Sequence, residues 1–161
     1  MAVSIQATVD LGTHRVDAVT QDGKTIGMAA EPPEGDGAGP SPKEALLAAL
    51  VGCTAMDVAS ILRKKRQAAV SYEVSASGES GEEHPKVFTT ITVEHRVSGD
   101  VEAEPLRRSI ELSATIYCPI NAMLSAVARV EHRYLLTDAT GATYAATVAI
   151  IGPNRRIQVV S

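Results

Sequence analysis

Two cysteines are the residues of this chain best suited to covalent chemistry. Cys53 and Cys118 are the only cysteines among its 161 residues, and a thiol reacts through its thiolate, whose fraction the surroundings set. Cys118 directly precedes Pro119. Proline fits the first position of a helix, so Cys118 is predicted to be an N-cap, where unpaired N–H groups and the positive helix pole stabilise a thiolate and lower its pKa. Cys53 lies in an apolar, Ala- and Leu-rich stretch, where burial raises a thiol pKa unless a cation or donor reaches it. The plainer reading of either residue is a small inert hydrophobe. The chain opens without a charged start and apolar run, so no signal peptide is expected and the expected compartment is the cytoplasm. Two cysteines there are reduced thiols unless they form a redox pair.

The element that must position Cys53 is one long helix over Ser41 to Gln67. Ser41 is a good N-cap, Pro42 suits the first helical position, and Glu44 completes a capping box. Leu46, Leu47, Leu50, Val51, Val58, Ile61 and Leu62 recur at three- and four-residue spacings, and Arg63, Lys64, Lys65 and Arg66 complement the negative helix end. Gly52 costs about 1 kcal/mol relative to Ala in a helix interior, so close packing of a second helix or a partner subunit is expected there.

The remaining elements are strands and short helices. Val3 to Val9 alternates, His14 to Val19 follows a turn, and Asp22-Gly23 marks a hairpin into Lys24 to Ala29, so the chain opens as a three-stranded meander (about 3–30). Glu31 to Pro40 holds three prolines and three glycines and reads as an ordered loop. Strands are expected near Ser71 to Ser77, over Val87 to Val97, and at Glu131 to Leu136, Thr143 to Ile151 and Arg156 to Val160. In the second of these, Val87, Thr89, Ile91, Val93, His95 and Val97 share a face. Helices are expected from Glu104 to Ala114 and from Pro119 to Arg129, and a turn at Gly152-Pro153-Asn154. The sum is a single α+β domain over 1–161, with antiparallel sheets around a long central helix.

Composition excludes several classes of function. A net charge of −4 with one Phe, four Tyr and no Trp is a poor basis for nucleic-acid binding, and the RKKR run reads as a helix-end charge cluster. No window approaches the run of apolar residues a membrane span needs, so no membrane association is expected. Two Cys and four scattered His without close spacing give no metal site, and no cofactor is expected. Asp57 reads as a solvated or dimer-facing carboxylate, His95 as a satisfied core or interface histidine, and Asn121 as a first-turn helix residue.

The segments GPSPKEALLAALVGCTAMDVASIL and IYCPINAML together resemble the OsmC/Ohr family of osmotically induced and organic-hydroperoxide-resistance thiol proteins, in its divergent OsmC-like branch. The first matches the family's Pro-capped central helix with a Cys eleven residues after the Pro, the second its YCPVN-like motif. The resemblance implies an intertwined homodimer with active sites at the subunit interface. It implies that Cys53 is the peroxidatic thiol, attacking the peroxide O–O bond to give a sulfenic acid, and Cys118 the resolving thiol, forming a disulfide that a dithiol, of lipoyl type in the family, reduces. The family's peroxidases also carry a Glu directly after the Pro and an Arg beside the thiolate. Here Lys43 follows Pro42 and Glu44 comes one residue later, about 100° further round the helix. Glu44 is the candidate orienting carboxylate and Arg15, the only arginine before the helix, the candidate activating cation, with Lys24 or Lys43 as alternatives. The implied activity is reduction of organic hydroperoxides. A non-catalytic stress-response or ligand-binding dimer and a thiol redox sensor are the alternatives.

Overall fold

A computed structural model describes residues 2–153 and 156–160. The chain divides into two compact units, residues 1–47 and 48–161. The first is a meander of β1 (Ile5–Asp10), β2 (Arg15–Thr20) and β3 (Thr25–Met28), all antiparallel in the order β1-β2-β3. The Asp22-Gly23 hairpin is present, with Gly23 at φ 82° and Asp22 tied to the Thr20 hydroxyl at 2.5 Å. A positive φ suits glycine because no Cβ opposes it.

The helix α1 (Pro42–Lys64) begins in the first unit and ends in the second. Its start is the capping box: Glu44 Oε2 accepts from the Ser41 N–H and hydroxyl at 2.7 Å each, and the Glu44 N–H donates to Ser41 Oγ at 3.3 Å. Its stop is a Schellman turn, in which Gln67 N–H donates to Leu62 O, Arg66 N–H donates to Arg63 O, and Arg66 takes φ 58°. The expected boundary at Gln67 thus includes the cap. One side of α1 is fully covered, at Leu50, Thr54, Val58 and Leu62.

Much of the rest of α1 has little cover. Met56 is 70% and Leu46 41% exposed, and a window of mean hydropathy 2.0 is only 22% buried. By length and composition α1 does qualify as a membrane span, which corrects the reading that no window comes near one. Counting apolar residues misses it because Gly, Ser and Thr dilute the hydropathy of the helix without reversing it. Apart from the helix's own adjacent residues, none of the described residues comes within 4 Å of where a Gly52 Cβ would sit, so the close packing expected there is not supplied by them.

The second unit holds a five-stranded sheet in the order β4-β5-β6-β7-β8, from β4 (Ala68–Ser80), β5 (Phe88–Asp100), β6 (Arg129–Asp138), β7 (Thr143–Gly152) and β8 (Arg156–Val159). Of the Gly152 turn, Asn154 lies outside the described residues. Strands β5 and β6 pair in parallel, so this sheet is mixed where an antiparallel one was expected. The segment between them makes a crossover, as parallel neighbours require. It contains α2 (Ala103–Leu112), a π-helical turn (Ser113–Tyr117) and α3 (Pro119–Leu124). The core gathers Val58 and Leu62 of α1, Leu106 and Ile110 of α2, and Val97, Leu136 and Val148 of the sheet. On β5 the predicted face is buried at Ile91, Val93, His95 and Val97, but its first residues Val87 and Thr89 are exposed. Phe88 is buried instead, against Gly78, where any Cβ would come within 2.6 Å of its ring.

Candidate functional site

The two thiols meet. Cys53 projects from α1 and is half-buried, and Cys118 caps α3 and is buried. Both are free, and their sulfurs and a carboxylate oxygen of Asp57 all lie within 4.8 Å of one another. Asp57 is four residues after Cys53, so one turn of α1 puts both on the same side. The two sulfurs are neighbours without being at disulfide distance, and Asp57 is a third group beside them.

Local sequence dictates how Cys118 gets there. Pro119 excludes the α conformation from the residue before it, and Cys118 sits at φ −75°, ψ 105°. The preceding helix closes through a π turn, with Cys118 N–H donating to Ser113 O at 2.9 Å. As predicted, Cys118 is an N-cap, its sulfur accepting from Asn121 N–H at 3.3 Å. Its pKa is nevertheless pushed up to about 12, opposite to expectation. Burial is the largest cause and the hydrogen bond with the Cys53 thiol the second, and together they outweigh the lowering by the N–H groups of Asn121 and Ile120. A helix N-terminus stabilises a thiolate only when the sulfur keeps enough polar surroundings to offset its desolvation.

Among the described residues no buried side-chain nitrogen or oxygen lacks a hydrogen-bond partner. Ser113 Oγ donates to Asp57 Oδ2 at 3.0 Å and lies 3.1 Å from Thr54 Oγ1. On the other side a chain of hydrogen bonds runs into the core. Asn121 Nδ2 donates to Ala114 O at 2.6 Å, so its Oδ1 is an acceptor and must receive the Nε2–H of His132 at 3.0 Å. The Nδ1 of neutral His132 then accepts from His95 Nε2–H at 3.3 Å, and His95 Nδ1 accepts from the Tyr72 hydroxyl at 2.8 Å. Burial lowers His132 to about 4 and lowers His95 strongly, the His132 charge adding to the effect on His95, so both rings are neutral as these tautomers require. The reading of His95 as a satisfied core histidine holds. Asp57, Ser113 and His132 were missed as site residues, and only the four-residue step from Cys53 to Asp57 carried a local signal.

The other candidates lie in the first unit. Arg15 contacts Asp17 at 3.5 Å, Lys24 contacts Asp22 at 2.6 Å, and Glu44 is engaged in the helix cap, where the Ser41 hydroxyl and N–H hold its carboxyl below the usual range. In the second unit Arg96, Arg107, Arg108, Arg129 and Arg133 pair with Glu94, Glu104, Glu111 and Glu131. Chemically, a half-buried thiol beside a buried one can be oxidised and then captured as a disulfide. The same two sulfurs with a carboxylate are also a donor set for a thiophilic metal.

A thiol on a long helix beside a second thiol at the cap of a short one, next to a mixed five-stranded sheet, together with a separate three-stranded meander, defines a dithiol protein of the OsmC-like fold. The chain belongs to the OsmC-like family, whose model, described as OsmC-like protein, matches residues 35–133. Protein YhfA of Escherichia coli strain K12 is 43% identical over 96 residues, 59% of this chain and 72% of that protein. An OsmC-like protein from Mycoplasma pneumoniae superposes with a TM-score of 0.74 at 16% identity, over 84% of this chain and 97% of the other. An organic hydroperoxide resistance protein from Legionella pneumophila does so with a TM-score of 0.62 at 13% identity, over 82% and 95%. At those identities the two structures establish the fold.

Proposed function

We propose that this protein is a cysteine-dependent peroxidase that reduces organic hydroperoxides, working as a cytoplasmic homodimer and as one domain over its whole length. The observation that carries the reading is the meeting of a half-buried and a buried free thiol within 4.8 Å. Cys53, the more accessible, attacks the peroxide as thiolate; the O–O bond breaks, Cys53 becomes the sulfenic acid, and the alkoxide leaves as the alcohol. Cys118 then attacks the oxidised sulfur as its thiol proton departs, and water leaves as the S–S bond forms. The sulfurs must close to about 2.05 Å for this step. An external dithiol, of lipoyl type by family analogy, restores both thiols.

Cys118 is suited to resolving rather than to attacking first, because burial and the neighbouring Cys53 thiol push its pKa up to about 12 and make it the weaker nucleophile at rest. Apolar side chains adjoining it, Ile116, Tyr117 and Met123, are exposed and suit an alkyl substrate or a second subunit. The sparse cover of α1 supports the second subunit as well. An activating cation is required beside Cys53, and Arg15, with Glu44 to orient it, is the candidate carried from the family.

The test is consumption of cumene hydroperoxide under excess dithiol with a chelator present. Turnover is expected to vanish in Cys53→Ser, and a single oxidant pulse is expected to remove two thiols from the wild type as a disulfide and one from Cys118→Ser as the sulfenic acid of Cys53. Slow consumption indifferent to Cys53 would overturn the proposal in favour of a ligand-binding dimer.

A further inference from the structure

We propose that Cys53, Asp57 and Cys118 form a three-ligand site for a thiophilic divalent cation of the zinc type, with a fourth coordination position left for water or another ligand. The inference does not rest on the peroxidase reading. Its starting point is that the three donor atoms already lie within 4.8 Å of one another, although the residues come from two elements 65 positions apart in sequence. In a tetrahedral zinc site with Zn–S near 2.3 Å and Zn–O near 2.0–2.2 Å, ligand atoms are separated by about 3.5–3.8 Å. The present cluster needs to contract by about 1 Å or somewhat more at its widest, within reach of side-chain rotation at the half-buried Cys53 and Asp57.

What distinguishes the cluster from a chance meeting is the shell behind it. Metal ligands are characteristically fixed by a second layer of hydrogen bonds. Here Ser113 donates to Asp57 Oδ2, one of the two carboxylate oxygens, and Thr54 in turn contacts Ser113. The N–H of Asn121 points at the Cys118 sulfur, a bond that strengthens when the sulfur becomes a thiolate. Asn121 is itself anchored through His132 and the Ala114 carbonyl. Two sulfur donors disfavour calcium and magnesium, which take oxygen ligands, and favour zinc-like ions. Binding is an exchange without redox change: each thiol loses its proton to the buffer, two metal–sulfur bonds form, and a carboxylate oxygen of Asp57 supplies the third ligand.

The test uses the reduced full-length protein, freed of metal and kept anaerobic, titrated with Co2+ alone. Thiolate-to-cobalt charge-transfer bands are expected to saturate at one ion per chain, with release of two protons and bleaching by added Zn2+. Asp57→Asn, which keeps an oxygen for the Ser113 hydrogen bond, is expected to weaken binding at least tenfold, and Ser113→Ala about tenfold. Prior conversion of the cysteines to the disulfide abolishes the bands. Absence of charge-transfer bands from folded wild type, or bands unchanged in a folded Cys118→Ser variant, would overturn the proposal. Peroxidase turnover measured with chelator is read separately, so loss of one conclusion leaves the other standing.

Discussion

Strands β5 and β1 both alternate apolar and polar residues, yet Ile91, Val93, His95 and Val97 of β5 are buried whereas every residue of β1 is exposed. The difference lies in what covers each. The sheet of the second unit has Leu106 and Ile110 of α2 and Val58 and Leu62 of α1 against it. The meander is three strands without a helical layer of its own. Alternation therefore encodes a face that needs cover and says nothing of where the cover comes from. In this chain the second unit closes its own core, while β1 and one side of α1 remain exposed.

The largest effect that sharpens this contrast is expected in the closed core. Ile110→Ala should cost about 2–5 kcal/mol by denaturant unfolding, because Ile110 is fully buried among aliphatic neighbours. Val9→Ala on β1 should cost under about 0.5 kcal/mol. A cost for Val9→Ala approaching that of Ile110→Ala, and growing with protein concentration, would show that a second subunit covers the meander.

Acid should act on the same core by a different route. His132 has its folded pKa depressed to about 4 from an ordinary 6.5. The unfolded state then binds the proton more readily, so the contribution of neutral His132 is complete above pH 6.5 and is lost as pH falls towards 4. The loss approaches about 3 kcal/mol. His95 shifts in the same direction. Unfolding measured between pH 7 and 4 should show this fall, and replacing His132 by Gln should flatten it. A profile unaffected by that replacement would place the acid sensitivity elsewhere.

The smallest effect concerns the open side of α1. With none of the described residues outside its own helix turn within 4 Å of its Cβ position, Gly52→Ala should stabilise the isolated subunit by about 1 kcal/mol through helix propensity. If a partner helix packs there, the added methyl should instead weaken the dimer, read by sedimentation as a raised dissociation constant.

Legibility in the sequence followed the range of the interactions. The ends of α1 were readable because Ser41 with Glu44, and the cationic run at Arg63 to Arg66, are governed by contacts within four residues. The N-cap position of Cys118 was readable for the same reason, since Pro119 restricts its immediate neighbour. The pKa of Cys118 was not, because burial by distant segments overrode the local helix terminus. The parallel pairing of β5 with β6 was hidden too, since period-two alternation is the same for either strand direction.

The OsmC-like membership was legible in the sequence alone, through two motifs that resemble the family's, each carrying one of the two cysteines. Only the tertiary structure decided that Asp57, taken for a solvated or dimer-facing carboxylate, stands beside both sulfurs, and that Ser113, Asn121 and His132 hold the group in place. Those contacts join residues 56 and 59 positions apart, as with Asp57–Ser113 and Thr54–Ser113. Pairings at such separations depend on how the crossover packs against α1 and the sheet. No local pattern of residues records that packing.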